Sequence, residues 1–237
     1  MNAPSLLRMR WEDVLFAHWA VEPSVVEAQL PAGLSADTYD GDAYLGVVGF
    51  RMASIRPRGV PFGRTFPELN LRTYVEGPDG PGIYFFNLDA DDRLGVALAR
   101  RLFRLPYYRA QQSLTETDDG FRLRSARIHS GAPPAGFDGT YRPIGPASEP
   151  EPASLEGFLA ERYRFYVATD AGRVYVGPVS HPPWPLQTAE LEIRENDLFA
   201  VNGFDDPAGD PLVHYSPGVD VKATAIRPVD AIIPGSG

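Results

Sequence analysis

Glu68, Asn70, Arg72 and Tyr74 place a carboxyl, an amide, a guanidinium and a phenol at every second position of one short run. In an extended strand this spacing puts all four on one face, with Leu69, Leu71, Thr73 and Val75 on the other. On an outer face such a row is simply solvated. On an inner face its groups must pair with one another or with a ligand, and a carboxyl beside a guanidinium becomes an acid or base whose pKa the surroundings set. Leu105-Pro106-Tyr107-Tyr108 adds two phenols directly after a proline. Its plain reading is a helix end with two tyrosines packed on the sheet.

Much other chemistry is excluded. The chain has no cysteine, so disulfides, thiolate catalysis and cysteine metal sites drop out together. There is no G-x-G-x-x-G after a strand, no Walker loop, no H-E-x-x-H and no G-x-S-x-G. His18, His129, His181 and His214 are far apart in sequence, and a metal site would need them to converge with carboxylates such as Glu68. No metal and no cofactor are expected. A formal net charge of -9 with no basic stripe argues against nucleic acid and membrane partners. Residues Met1 to Arg10 lack a signal-peptide core, and the expected location is cytoplasmic. Lys222 is the only lysine.

The elements that must position these residues are mostly strands. One runs over Val14 to Val21, and Pro23 then opens a short helix before Pro31 and Gly33. A second strand covers Tyr44 to Met52, and a Pro-, Gly- and Arg-rich stretch from Arg56 to Pro67 reads as a loop. The Glu68 strand turns through Gly77-Pro78-Asp79-Gly80 into a strand from Ile83 to Asp89, by a connection longer than the two-residue type.

Asp92 caps a helix carrying Leu94, Leu98 and Leu102, which Pro106 ends. Ala110 to Thr117 and Phe121 to His129 form another hairpin, followed by a loop to Pro152. Ser154 caps a third helix, with Leu155, Phe158, Leu159 and Arg162 on one face. Short strands near Val174, Leu191, Leu198 and Val219 complete the chain, and Pro182, Pro183 and Pro185 around Trp184 read as a rigid surface turn. The expectation is one domain over residues 1–237, mainly β (α+β), an antiparallel barrel or cone-shaped sheet with about three inserted helices. Closed sheets of this kind enclose small-ligand pockets.

Six segments in order carry a resemblance: Leu15-Phe16-Ala17-His18-Trp19, the run Phe66 to Val75, Ile83 to Ala90, Leu105-Pro106-Tyr107-Tyr108, Glu161-Arg162-Tyr163, and His181 to Leu186. Together they resemble the YqjF-like family of uncharacterised proteins, from about Trp11 to Pro228. That family is similar in fold to acetoacetate decarboxylase, whose cone-like antiparallel β-barrel holds a cavity where a lysine forms a Schiff base with a β-keto acid. The decarboxylase lowers that lysine's pKa with a second lysine beside it. The resemblance implies that Glu68 stands where the decarboxylase has an essential glutamate, and Tyr107 and Tyr108 where it has the lysine pair, 39 positions on from Glu68 to Tyr107. A tyrosine forms no imine, and Lys222 does not match the nucleophile's motif. The resemblance also implies that Glu68, Asn70 and Arg72 face inward and that Tyr107 is a pocket wall.

Two functions compete. In the first, a cofactor-independent enzyme uses Glu68 as general acid or base on a small oxo-acid or related carbonyl compound, with Arg72 holding a carboxylate and Tyr107 or Tyr108 stabilising an enolate oxygen. Asn70, Tyr74, Tyr108, His18, Arg162 and His181 count as candidate ligand contacts. In the second, the same barrel binds or senses a small ligand without catalysis. A homo-oligomer is compatible with both, with exposed aromatics such as Trp184 at the contact.

Overall fold

A computed structural model describes residues 5–169 and 172–229. In chain order the elements are β1 (Leu7–Val21), α1 (Pro23–Glu27), β2 (Ser35–Ala36), β3 (Ala43–Pro57), β4 (Arg64–Gly77), β5 (Gly80–Ala90) and α2 (Arg93–Leu102). Then follow β6 (Tyr107–Glu116), β7 (Phe121–Arg127), β8 (Gly136–Pro143), α3 (Leu155–Ala160), β9 (Arg164–Ala168), β10 (Val174–Ser180), β11 (Gln187–Asn196), α4 (Leu198–Val201), β12 (Leu212–Ala223) and β13 (Arg227–Pro228). All the strands belong to one sheet in the order β13-β10-β9-β5-β6-β7-β8-β11-β12-β1-β3-β4-β2, with β4 also paired to β5 and β10 to β12. The pairing is antiparallel except that β5 runs parallel to β6 and to β9.

β1, β3 and β4 are buried on both faces. Leu15, Ala17, Leu45, Val47, Leu69 and Leu71 pack into one core with Leu123, Phe137 and Tyr141. Val14, Phe16, Val48, Phe50 and Phe66 pack into another with Trp184, Val219 and Val221. Each large apolar side chain so buried contributes roughly 1.5–3 kcal/mol. The allocation of β1 between the two cores depends on a register shift between Glu12 and Leu15, where Asp13 adopts a φ of 52°. An inserted residue turns every later side chain to the opposite face.

Several expectations are corrected. The stretch read as a loop from Arg56 to Pro67 is strand at both ends, since β3 runs to Pro57 and β4 begins at Arg64, and only residues 58–63 are loop. Gly77 pairs with Gly80, so the β4–β5 connection is the two-residue type, with Gly80 at a φ of 96° that a side chain would oppose. The supposed loop before Pro152 contains β8, whose glycines Gly136 and Gly139 interrupt the alternation that would have revealed it. Leu198 opens α4 rather than a strand, giving four helices among the described residues.

Trp184 is not a surface residue: it is 2% exposed and packs against Trp11 and Phe16, leaving only its neighbours Pro182 and Pro183 outside. The backbone of α2 stands where expected, while the side chains of Leu94, Leu98 and Leu102 lie outside the described residues. Ser154 caps α3 as expected, its Oγ accepting from the Gly157 amide at 3.1 Å. Among the described residues no helix is long and apolar enough to cross a membrane.

Candidate functional site

β4 carries Glu68, Asn70 and Arg72 opposite Phe50, Val48 and Gly46 of β3, and Arg72 and Glu68 lie opposite Phe85 and Ala90 of β5. All three polar residues are buried. The face they share is that of Phe16 and Trp184, so the polar row is an inner one. Tyr107 enters from β6, which lies beyond β5, and pairs with Leu88. Next to Glu68 on β5 the small Ala90 leaves room for the ring.

The Tyr107 hydroxyl donates to Glu68 Oε2 at 2.7 Å. Burial pushes the Glu68 carboxyl up from the usual 4.5 to about 7; the hydrogen bond from Tyr107 opposes this and the nearby charge of Asp89 adds to it. Burial, then the charge of Glu68, pushes the Tyr107 phenol well above its ordinary value. At neutral pH the pair therefore holds a phenol proton in place and a carboxyl near its midpoint, the condition for proton transfer in either direction.

Three rows further, Tyr74 Oη lies 2.6 Å from His18 Nε2, donates to the Leu159 carbonyl at 2.7 Å, and accepts weakly from Arg72 Nη2 at 3.4 Å. The Arg72 guanidinium also sits over the Phe16 and Tyr74 rings at 5.5 and 5.8 Å. Among the described residues it has no carboxylate partner within ion-pair distance, and its Nε is buried without a hydrogen bond, as are Asn70 Oδ1 and His18 Nδ1. Burial, the charge of Arg72 and that of His214 hold the His18 imidazole well below its ordinary value. A guanidinium left this way is suited to an anionic ligand.

Arg162, just after α3, ion-pairs with Asp37 at 2.6 Å and lies over the rings of Phe158 and Tyr74 at 4.2 and 5.1 Å. It separates Tyr74 from a cleft of about 800 Å³ bordered by Asp37, Tyr39, Glu76, Phe158, Glu161 and Arg162 itself. His181 belongs to this outer layer, its Nε2 at 3.3 Å from the Arg162 carbonyl and its ring stacked on Tyr163. A second cleft of about 410 Å³ is bordered by Arg8, Arg56 and Lys222. Glu68 and Tyr107 border neither cleft; they meet each other in the interior.

Tyr108 is the expected contact that the structure sets apart. As the neighbour of Tyr107 on a strand it points to the opposite face. There it packs beneath the Arg127 guanidinium at 4.3 Å and against His129. Sequence reasoning missed what lies on that side: Arg127 grips Asp89 through two 2.7 Å hydrogen bonds, and Asn87 donates to the same carboxylate at 2.7 Å. The alternation of Asn87 and Asp89 on β5 was the available signal. Among the described residues no three histidine or acidic side chains are grouped as a metal site.

The sequence of residues 8–220 matches the family model DUF2071, an uncharacterized conserved protein. The chain is 42% identical to the uncharacterized protein YqjF of Bacillus subtilis (strain 168), over 94% of this chain and 92% of that one. Among solved structures it is similar to the enduracididine biosynthesis enzyme MppR complexed with pyruvate, with a TM-score of 0.65 and 14% identity over 98% of this chain and 93% of that one. It is likewise similar to acetoacetate decarboxylase from Legionella pneumophila, with a TM-score of 0.64 and 14% identity over 98% and 91% of the two chains. At that identity the likeness shows the fold alone. With the family model spanning most of the chain, this protein belongs to the DUF2071 family and has the acetoacetate decarboxylase-like fold.

Proposed function

We propose that the inner face is the site of a cofactor-independent acid/base enzyme acting on a small oxo-acid or related carbonyl compound, set within a cone-like barrel. The observation that carries this reading is the buried Glu68 carboxyl, raised to about 7 and held at 2.7 Å by the Tyr107 hydroxyl, on the same strand face as an Arg72 that has no carboxylate partner among the described residues. In this reading Arg72 takes the substrate carboxylate and Glu68 moves the proton next to the carbonyl. Tyr107 donates its one proton to Glu68 in the free site and turns it to the enolate oxygen once substrate is bound. The substrate passes from the 800 Å³ cleft by Arg162 and Phe158. Imine chemistry has no part in it, because Lys222 is exposed on β12 beside the other cleft.

The test is exchange of carbon-bound hydrogen in small 2-oxo and 3-oxo acids dissolved in D2O, followed by proton NMR. Wild-type protein is expected to exchange at least one of them above background, and Glu68→Gln to lose about 100-fold or more of that rate. Equal rates for the two proteins would overturn the assignment of Glu68. Binding of an acid with no exchange would replace the enzyme by a binding module on the same face.

A further inference from the structure

The hydrogen-bond inventory around Tyr74 fixes the tautomer of His18. A phenol has one proton, and a carbonyl only accepts, so the 2.7 Å contact to Leu159 takes the Tyr74 proton. Arg72 Nη2 only donates. The 2.6 Å contact between Tyr74 Oη and His18 Nε2 must then carry a proton from the ring, leaving Nδ1 as a bare acceptor. Among the described residues that Nδ1 is buried and unpartnered, and His18 is only 2% exposed.

His18 and Arg72 overhang the same glycine. Gly46 lies between them in the β1–β3–β4 register, and a Cβ there would stand 2.8 Å from His18 Cδ2, 3.0 Å from His18 Nε2 and 3.5 Å from Arg72 Cγ. With the Cδ2–Nε2 edge against Gly46, the Nδ1 edge is turned away from that backbone. Asn70 Oδ1, one row along β4, is a second buried acceptor without a partner. Among the described residues the unsatisfied groups of these two rows are thus two acceptors beside one guanidinium donor. A plain oxo acid supplies acceptors only. It would satisfy Arg72 and leave the His18 and Asn70 acceptors unpaired, a loss that a ligand carrying a donor reduces.

We propose that the compound recognised at this face is a hydroxylated oxo acid, its carboxylate accepting from Arg72 Nε and its hydroxyl donating to His18 Nδ1. The inference rests on the reading of this face as an oxo-acid site and makes His18 the residue that selects for the hydroxyl. Sites built to hydrogen-bond a hydroxyl reject the analogue lacking it far more strongly than an apolar pocket rejects a missing methylene.

Matched pairs in which a hydroxyl replaces a methyl test this directly: 3-hydroxypyruvate against 2-oxobutyrate, and 4-hydroxy-2-oxobutyrate against 2-oxovalerate, titrated calorimetrically into the full chain. The hydroxylated member of at least one pair is expected to bind about tenfold or more tightly, a difference of about 1.4 kcal/mol. His18→Gln keeps a donor for Tyr74 but removes the ring acceptor, and is expected to shrink the preference to about twofold or less. Arg72→Met is expected to lose binding of both members.

Equal affinities within both pairs would overturn the hydroxyl inference and leave the oxo-acid reading standing. Failure of every compound to bind would overturn both. A readout on the wild-type protein does not depend on any variant folding: two-bond proton–nitrogen NMR is expected to place the His18 ring proton on Nε2, and a proton on Nδ1 would overturn the inference.

Discussion

The hydroxyl of Tyr107 donates a 2.7 Å hydrogen bond to Glu68 across 39 positions of chain and two strand boundaries. It is the one hydrogen bond the Glu68 carboxyl receives among the described residues, and it opposes the burial that pushes the carboxyl toward 7. Tyr107→Phe is therefore expected to raise the Glu68 pKa further. It should also cost about 1–3 kcal/mol of stability through the acceptor left unpaired. Carbon-13 NMR titration of the glutamate carboxyls checks the first effect, and urea denaturation the second. An unchanged carboxyl titration would mean that the bond does not act on Glu68 in solution.

Glu68 also sets a pH dependence of folding. Its folded pKa of about 7 exceeds the ordinary 4.5, so between these values the folded chain keeps a proton that the unfolded chain has released. Stability from this group is fully present below about 4.5 and is lost as pH rises to about 7, by on the order of 3 kcal/mol at most. Glu68→Gln has no proton to lose. Urea midpoints measured from pH 4.5 to pH 8 should fall more steeply for the wild type than for the variant, and parallel curves would contradict the raised pKa.

Gly46 is held small by its neighbours, not by its backbone angles. A methyl at that position meets His18 Cδ2 at 2.8 Å, closer than side-chain carbons pack. Gly46→Ala is expected to cost about 1–3 kcal/mol and to move the ring away from Tyr74. Thermal melting reports the cost, and the ring signals of His18 report the displacement. A variant with both unchanged would show that the β1–β3–β4 row has slack the contacts do not suggest.

On the other side of the sheet, Arg127 and Asp89 form a buried bidentate pair with 3% and 2% side-chain exposure. Arg127→Met leaves the Asp89 carboxylate buried and short of its cation, and is expected to destabilise the chain by about 3–5 kcal/mol. Adding Asp89→Leu removes the stranded charge and should recover part of that loss. A double variant less stable than Arg127→Met would show that Asp89 is held mainly by Asn87, not by the guanidinium.

Much of the scaffold was legible because strands announce themselves locally. The β6–β7 hairpin pairs Ala110 with Arg127 through Glu116 with Phe121, close to the hairpin expected, since each strand alternates over its own few residues. β8 was missed because glycines stand at Gly136 and Gly139, where an alternating strand would show a side chain. Trp184 was misplaced because prolines on both sides signal a turn, and a turn can still drive its central ring into a core. Leu198 starts a single helical turn, too short to show a helical period.

By itself the sequence determined the common face of Glu68, Asn70, Arg72 and Tyr74, and it left one lysine, outside any matching motif. Both follow from local facts: a strand repeats every two residues, and a missing residue type is missing in any fold. Only the tertiary structure decided that this face is the inner one, that Tyr107 rather than Tyr108 reaches Glu68, and that His18 meets Tyr74 across 56 positions. Those outcomes depend on the shift at Asp13 that orients β1, and on the parallel docking of β6 against β5. Both are relations between distant strands, which no window of sequence contains.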